Sequence, residues 1–196
     1  MKFKFPNSYK ANRPKPFQWL GKVIIKASGW KIKGHISDVY ENKKFVAIVA
    51  PHTSNWDAVV GLAAIAAIDL KVYFIGKHTV FKGLLGKFMK YMGGIPVDRS
   101  KPGGLIKDLL RQIEDKKNGL IGLAPEGTRS KVDEWKTGFL RIAKELNSGV
   151  VLVSLDFFKK ELVFVKEYKP TGDDKKDILS IKKYYNAFTP KNPANF

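Results

Sequence analysis

The sequence predicts an α/β fold: a single domain with a largely parallel central sheet flanked by helices, preceded by a short basic amphipathic N-terminal helix. Three observations lead there. Strand-like and helix-like stretches alternate along most of the chain. The Gly and Pro punctuation (Gly93-Gly94, Gly119, Pro125, Gly127, Gly149, Pro170) falls between those stretches. The chain, at 196 residues, is long enough for one domain with a full core.

Residues 1–16 are rich in Pro and Lys and read as irregular. From Phe17 to Ala27, the apolar residues Phe17, Leu20, Val23, Ile24 and Ala27 recur at helical spacing, while Lys15, Lys22 and Lys26 fall on another face. With Trp19 and Trp30 alongside, this is the pattern of an interfacial anchor, or of a helix packed on the core with solvated lysines. Apolar runs then predict strands near 45–50, 72–76, 95–97, 119–124, 150–155 and 161–167. Periodic stretches predict helices near 56–68, 80–92, 103–116, 137–147 and 174–188. Within 80–92, Phe81, Leu84, Leu85, Phe88, Met89 and Met92 share one face, for which core packing is the expectation and the lining of an acyl groove the alternative. The last helix carries acidic residues at its start (Asp173, Asp174, Asp177), as a capped N-terminus should.

Charge limits the choice of partner. The formal net charge is +18, and residues 1–37 carry basic side chains but no acidic one. Such a surface favours anionic partners: nucleic acid, anionic lipid headgroups or an acidic carrier protein. No helix-turn-helix, zinc or RNA-recognition signature accompanies the charge, so nucleic acid is not the expected partner. Cysteine is absent, which removes disulfides, thiolate metal ligands and a thiol nucleophile. No apolar run approaches the roughly 18–20 residues that span a bilayer, and no signal-peptide pattern opens the chain. The expected location is intracellular.

Three segments carry chemistry. Pro51-His52-Thr53-Ser54-Asn55-Trp56-Asp57 joins the first of these strands to the helix that follows it. His52 falls on the turn and Asp57 in the first helical turn, so the carboxylate can hold one imidazole nitrogen protonated while the other accepts a substrate proton. Gly93-Gly94-Ile95-Pro96-Val97-Asp98-Arg99-Ser100 ends a short strand in a charged pair. An arginine there can grip a phosphate or carboxylate, or merely pair with Asp98 across the loop. Ala124-Pro125-Glu126-Gly127-Thr128-Arg129-Ser130 follows a buried strand with a loop dense in anion-binding groups, but lacks the Gly-Lys-Ser/Thr ending of a Walker loop. Ligands of open α/β sheets bind beyond the carboxyl ends of strands, where all three segments fall.

In these motifs the chain resembles the glycerolipid (lysophosphatidic acid) acyltransferase family. That family is marked, in this order, by His-x-x-x-x-Asp, Gly-x-Ile-x-Val-Asp-Arg and Pro-Glu-Gly-Thr-Arg-Ser, found here at 52–57, 93–99 and 125–130. Trp135-Lys136-Thr137-Gly138-Phe139 is similar to the family's Lys-x-Gly stretch after the third motif. Two departures stand out: the strand at 150–155 lacks the family's usual Pro, and the N-terminal membrane element is short.

The resemblance implies acyl transfer from an acyl thioester (acyl-CoA or acyl carrier protein) to a lysophospholipid hydroxyl such as that of 1-acyl-glycerol 3-phosphate. It implies His52 as base, Asp57 as its orienting partner, and Arg99, Glu126, Gly127, Thr128 and Arg129 as ligands of the glycerol phosphate. Lys77, at the end of the 72–76 strand, is a further candidate cation, and backbone amides near 126–128 are candidates for the oxyanion. No metal or cofactor is expected, because a thioester is already activated. The same fold also suits a lyso-aminolipid without phosphate, or a glycolipid, as acceptor. On this reading residues 1–36 form a basic membrane-associating segment and 37–196 the acyltransferase domain, peripheral on the cytoplasmic face of an anionic membrane.

Overall fold

The computed structural model describes residues 3–98 and 104–196, with the side chains of residues 165 and 166 left aside. Its strands are β1 (Lys31–Gly34), β2 (Lys44–Ala50), β3 (Val72–Lys77), β4 (Gly94–Val97), β5 (Gly119–Leu123), β6 (Val150–Asp156) and β7 (Glu161–Tyr168). Its α-helices are α1 (Lys15–Ala27), α2 (Asn55–Ile68), α3 (Gly83–Tyr91), α4 (Leu105–Ile113), α5 (Gly138–Glu145) and α6 (Asp174–Tyr185). The strands form one seven-stranded sheet in the order β1-β7-β6-β2-β5-β3-β4.

From β6 to β4 every neighbouring pair is parallel; β7 turns back antiparallel on β6, and β1 pairs parallel with β7. Alternation along the strands sends side chains to two cores, as expected of a sheet covered on both faces. From β2, Phe45 and Ala47 join a core shared with Ile25 of α1 and Val60, Ala63, Ala64 and Ala67 of α2. Val46, Ile48 and Ala50 enter the opposite core with Leu109 of α4, Phe139 and Ile142 of α5, and Ile181 and Tyr185 of α6. The layering is helix–sheet–helix. Pro96 sits in β4, the outermost strand, where a missing N–H costs no ladder bond on the open side.

Every predicted strand is present, and β1 is an addition. Lys31-Ile32-Lys33-Gly34 is too short and too charged for its pattern to announce a strand; its pairing with β7 creates it. The predicted 80–92 helix is shorter. His78–Phe81 forms a 3-10 turn, and α3 begins only at Gly83, whose φ of +59° breaks the run. Nor does the face of this segment pack inward as expected: Leu84 is 84% exposed, Leu85 and Phe88 are exposed, and only Met92 is fully buried.

The N-terminal helix also turns its apolar stripe outward. Its inward face is Gln18, Gly21 and Ile25, whereas Leu20, Val23 and Ile24 of the apolar stripe are exposed together with Trp19, at 65%. The contact with α2 is close because Gly21 has no side chain. A Cβ there would lie 2.6 Å from the Ala67 nitrogen and 2.9 Å from the Ala63 oxygen. The Phe17 ring also meets the rings of Phe88 and Tyr91 on α3. Among the described residues no helix is long and apolar enough to cross a membrane.

Candidate active site

Register explains why the first and third segments meet. β2 and β5 run side by side with Ile48 opposite Leu123, so the turn after each strand emerges at the same edge of the sheet. β3 and β4 end on that edge as well.

The turn after β2 is fixed by the start of α2. Ser54 is the N-cap of the helix, and its hydroxyl accepts from the Trp56 amide at 3.2 Å. Asp57 reciprocates: its Oδ2 accepts from the amides of Thr53 at 2.7 Å and Ser54 at 2.8 Å. Caps of this kind contribute about 1 kcal/mol to helix stability. The same Oδ2 lies 3.1 Å from His52 Nδ1. The carboxylate is an acceptor, so Nδ1 carries the hydrogen and Nε2 keeps its lone pair. One oxygen of Asp57 thus both caps the helix and selects the tautomer of the imidazole. Asp57 is buried, while the His52 side chain retains some exposure.

Glu126 occupies a different place from the one expected. It is 3% exposed, and its Oε1 accepts from the His52 backbone amide at 2.9 Å. Its Oε2 is buried without a hydrogen-bond partner among the described residues. Burial pushes the Glu126 carboxyl above the ordinary carboxylate range, against the opposing pull of the His52 amide. The side chain therefore grips the His52 turn from beneath rather than presenting a charge to solvent.

Beyond Glu126 the loop turns outward. Thr128 and Arg129 are exposed and Gly127 is half-buried. The Gly127 amide already donates to the Ala124 carbonyl at 3.1 Å, so it is engaged in the turn rather than aimed at a substrate oxyanion. Lys77 closes β3 and is exposed. Arg99 lies outside the described residues.

One cation was left off the predicted set. Lys136 donates its amide to the Pro125 carbonyl at 2.8 Å, and its side chain runs beside Gly127. Its exposed ammonium group therefore belongs with Arg129 on the open side of this loop. The signal was the Lys-x-Gly stretch itself, which sequence alone does not fold back onto residue 125.

The departure at 150–155 is an internal matter. Ser154 is fully buried, pairs with Ala50 in the sheet, and places its hydroxyl 3.3 Å from that of Tyr184. The neighbouring Tyr185 is buried, donates to the Ile48 carbonyl at 2.9 Å, and so ties α6 to β2 just ahead of the His52 turn. Burial raises its phenol well above the ordinary value, keeping it a neutral donor.

Comparison with known proteins agrees with this fold. The Acyltransferase family model matches residues 31–156, well over half of the chain. A 1-acyl-sn-glycerol-3-phosphate acyltransferase of Bacillus subtilis (strain 168) is 29% identical over 100 residues, covering 50% of this chain and 49% of that protein. The matched region thus spans about half the length of the curated relative. The crystal structure of the 1-acyl-sn-glycerophosphate (LPA) acyltransferase PlsC from Thermotoga maritima superposes with a TM-score of 0.59 at 16% identity, covering 88% of this chain and 78% of that one. At that identity the structure supports the fold alone. The extent of the family match, from β1 through β6 and over the turns after β2 and β5, means that this chain belongs to the acyltransferase family.

Proposed function

We propose that this protein transfers a fatty acyl group from an acyl thioester, acyl-CoA or acyl carrier protein, to the hydroxyl of a lysophospholipid such as 1-acyl-glycerol 3-phosphate. The observation that carries the reading is the 3.1 Å contact between His52 Nδ1 and Asp57 Oδ2 on a turn clamped by Glu126. A lipid hydroxyl is a poor nucleophile at neutral pH. His52 Nε2 takes its proton as the oxygen attacks the thioester carbonyl, and Asp57 stabilises the imidazolium that forms. Collapse of the tetrahedral intermediate expels the thiolate, which recovers the proton from His52. General-base assistance of this kind contributes on the order of 100- to 10,000-fold. No cofactor is invoked, since the thioester supplies the leaving group.

Arg129, Thr128 and Lys136 stand on the open side of the loop and suit the acceptor's phosphate, Lys77 ends β3 on the same edge, and the family resemblance adds Arg99. The reaction takes place at an anionic membrane surface. Supporting this are the exposed Trp19, Leu20, Val23 and Ile24 of α1, with Lys22 and Lys26 on the same short helix. That surface suits the cytoplasmic face of a membrane.

The test uses purified protein with a panel of lysolipids, with and without phosphate, against both donor types, reading thiol release and product mass. Turnover confined to phosphate-bearing acceptors, abolished by His52→Ala, is expected. Wild-type turnover in His52→Ala would remove the proposed base. Equal turnover with a lyso-aminolipid or glycolipid would remove the phosphate site.

A further inference from the structure

Residues 189–196 pass from the end of α6 across the turn that carries His52, and they lie beyond the family match, which ends at residue 156. Three donors from this tail converge on Thr53. The Asn192 amide donates to Thr53 Oγ1 at 3.2 Å, Asn192 Nδ2 to the Thr53 carbonyl at 3.0 Å, and Asn195 Nδ2 to the same carbonyl at 3.4 Å. A carbonyl can only accept, which fixes the orientation of both side-chain amides. Thr53 is consequently 2% exposed although it sits on a surface turn, whereas Asn192 itself is exposed.

Both ends of the tail are held. The Phe157 amide donates to the Thr189 carbonyl at 2.8 Å, and Lys191 lies over the Phe157 ring. Pro193–Asn195 form a 3-10 turn, and the Phe196 ring approaches Trp135 at 6.3 Å. The tail thereby links the β6–β7 turn, the catalytic turn and the segment preceding α5.

Every polar group of Thr53 is now engaged: its carbonyl and hydroxyl to the tail, its N–H to Asp57 Oδ2. That N–H and His52 Nδ1 share one carboxylate oxygen. The carbonyl held by Asn192 and Asn195 belongs to the Thr53–Ser54 peptide, whose Ser54 N–H donates to the same Asp57 Oδ2 at 2.8 Å, so rotation of that peptide would carry the Ser54 N–H away from Asp57 and loosen the carboxylate that aims the imidazole. Small displacements of a reacting group are costly in rate even when folding is unaffected.

We infer that Asn192, seconded by Asn195, is a positioning residue for the reaction: it acts through Thr53 to hold Asp57 and His52 in register. The inference rests on the proposed role of His52 as base. The first test is steady-state acyl transfer by Asn192→Ala and by Asn192→Ala/Asn195→Ala. The double variant should lose about tenfold in kcat, with the acceptor KM changed less than about twofold and Tm lowered by less than about 3 °C. Unchanged kcat overturns the inference. So does a loss of kcat matched by a large fall in Tm, because the tail would then be only a structural brace.

The second test needs no turnover. The imidazole Nδ1 proton of His52, followed by NMR in the intact chain, should be protected in the wild type and exchange faster in the double variant. If His52→Ala keeps full activity while that proton still responds to the tail, the assignment of the base has failed and the strap has not. If His52→Ala is inactive and the proton is indifferent to the tail, the strap has failed alone.

Discussion

Glu126 Oε1 accepts the backbone N–H of His52 at 2.9 Å, joining the loops after β5 and β2 beneath the imidazole. The two motifs that carry these residues are far apart in sequence and act as one piece.

Glu126→Gln keeps an oxygen for the His52 amide and Glu126→Ala does not. The Gln variant should retain acyl transfer within about threefold and the Ala variant should lose about 100-fold or more, since the turn is no longer held in place. Stability adds a pH signature. Burial raises the Glu126 carboxyl in the folded chain, so its protonated form is favoured there more than in the unfolded chain. That contribution is complete below the ordinary carboxyl range and is lost as pH rises through the raised value. Gln has no proton to lose, so the Tm of Glu126→Gln relative to wild type should climb as pH rises from the ordinary carboxyl range through the raised value. A constant difference across the series contradicts it.

Asp57→Asn places an amide where Oδ2 now accepts from His52 Nδ1, Thr53 and Ser54. An amide nitrogen facing Nδ1 favours the wrong tautomer. The expected loss in kcat is on the order of 100- to 10,000-fold, with about 1 kcal/mol of stability lost through the weakened cap. Chemical denaturation and single-turnover rates separate the two effects. A variant that loses stability but keeps its rate refutes the orienting role.

The two faces of α1 predict opposite phenotypes. Gly21→Leu inserts a side chain where backbone atoms of α2 already lie, and should lower stability by about 1–3 kcal/mol. Trp19→Ser combined with Ile24→Ser alters exposed positions and should leave Tm nearly unchanged while reducing sedimentation with anionic vesicles severalfold. Raising the salt concentration should weaken the same binding. Vesicle binding that survives the double substitution would move the membrane contact elsewhere.

Arg129→Ala and Lys136→Ala remove exposed cations from the open side of the Glu126 loop without touching the core. Each should raise the KM for a phosphate-bearing acceptor about tenfold or more and leave the KM for the thioester donor within about twofold. Equal increases for both substrates would assign these cations to the donor instead.

Much of this was legible in the chain. Alternation of apolar runs with punctuating Gly and Pro located all the strands from β2 onward, because a doubly covered sheet demands continuous apolar runs bounded by turns. β1 escaped notice because two lysines in four residues carry no strand pattern; only β7 beside it supplies the missing bonds. The proximity of His52 and Asp57 could also be read, since a strand end followed by a helical turn constrains them locally.

The direction of the apolar stripes on α1 and α3 was not legible. Periodicity reports that a helix has an apolar face, and it is blind to what that face meets. On α1 the small Gly21 lets Ala63 and Ala67 approach closely, and the bulky side chains are left outside. Residue types and local spacing determined the strands from β2 onward, the pairing of His52 with Asp57 and the acyltransferase family to which the chain belongs. Three matters fell to tertiary structure: Glu126 turned inward beneath His52, Lys136 returned to residue 125, and Asn192 closed over Thr53. Each is a contact between segments distant in the chain, and such contacts depend on strand order and register, which no local pattern of side chains encodes.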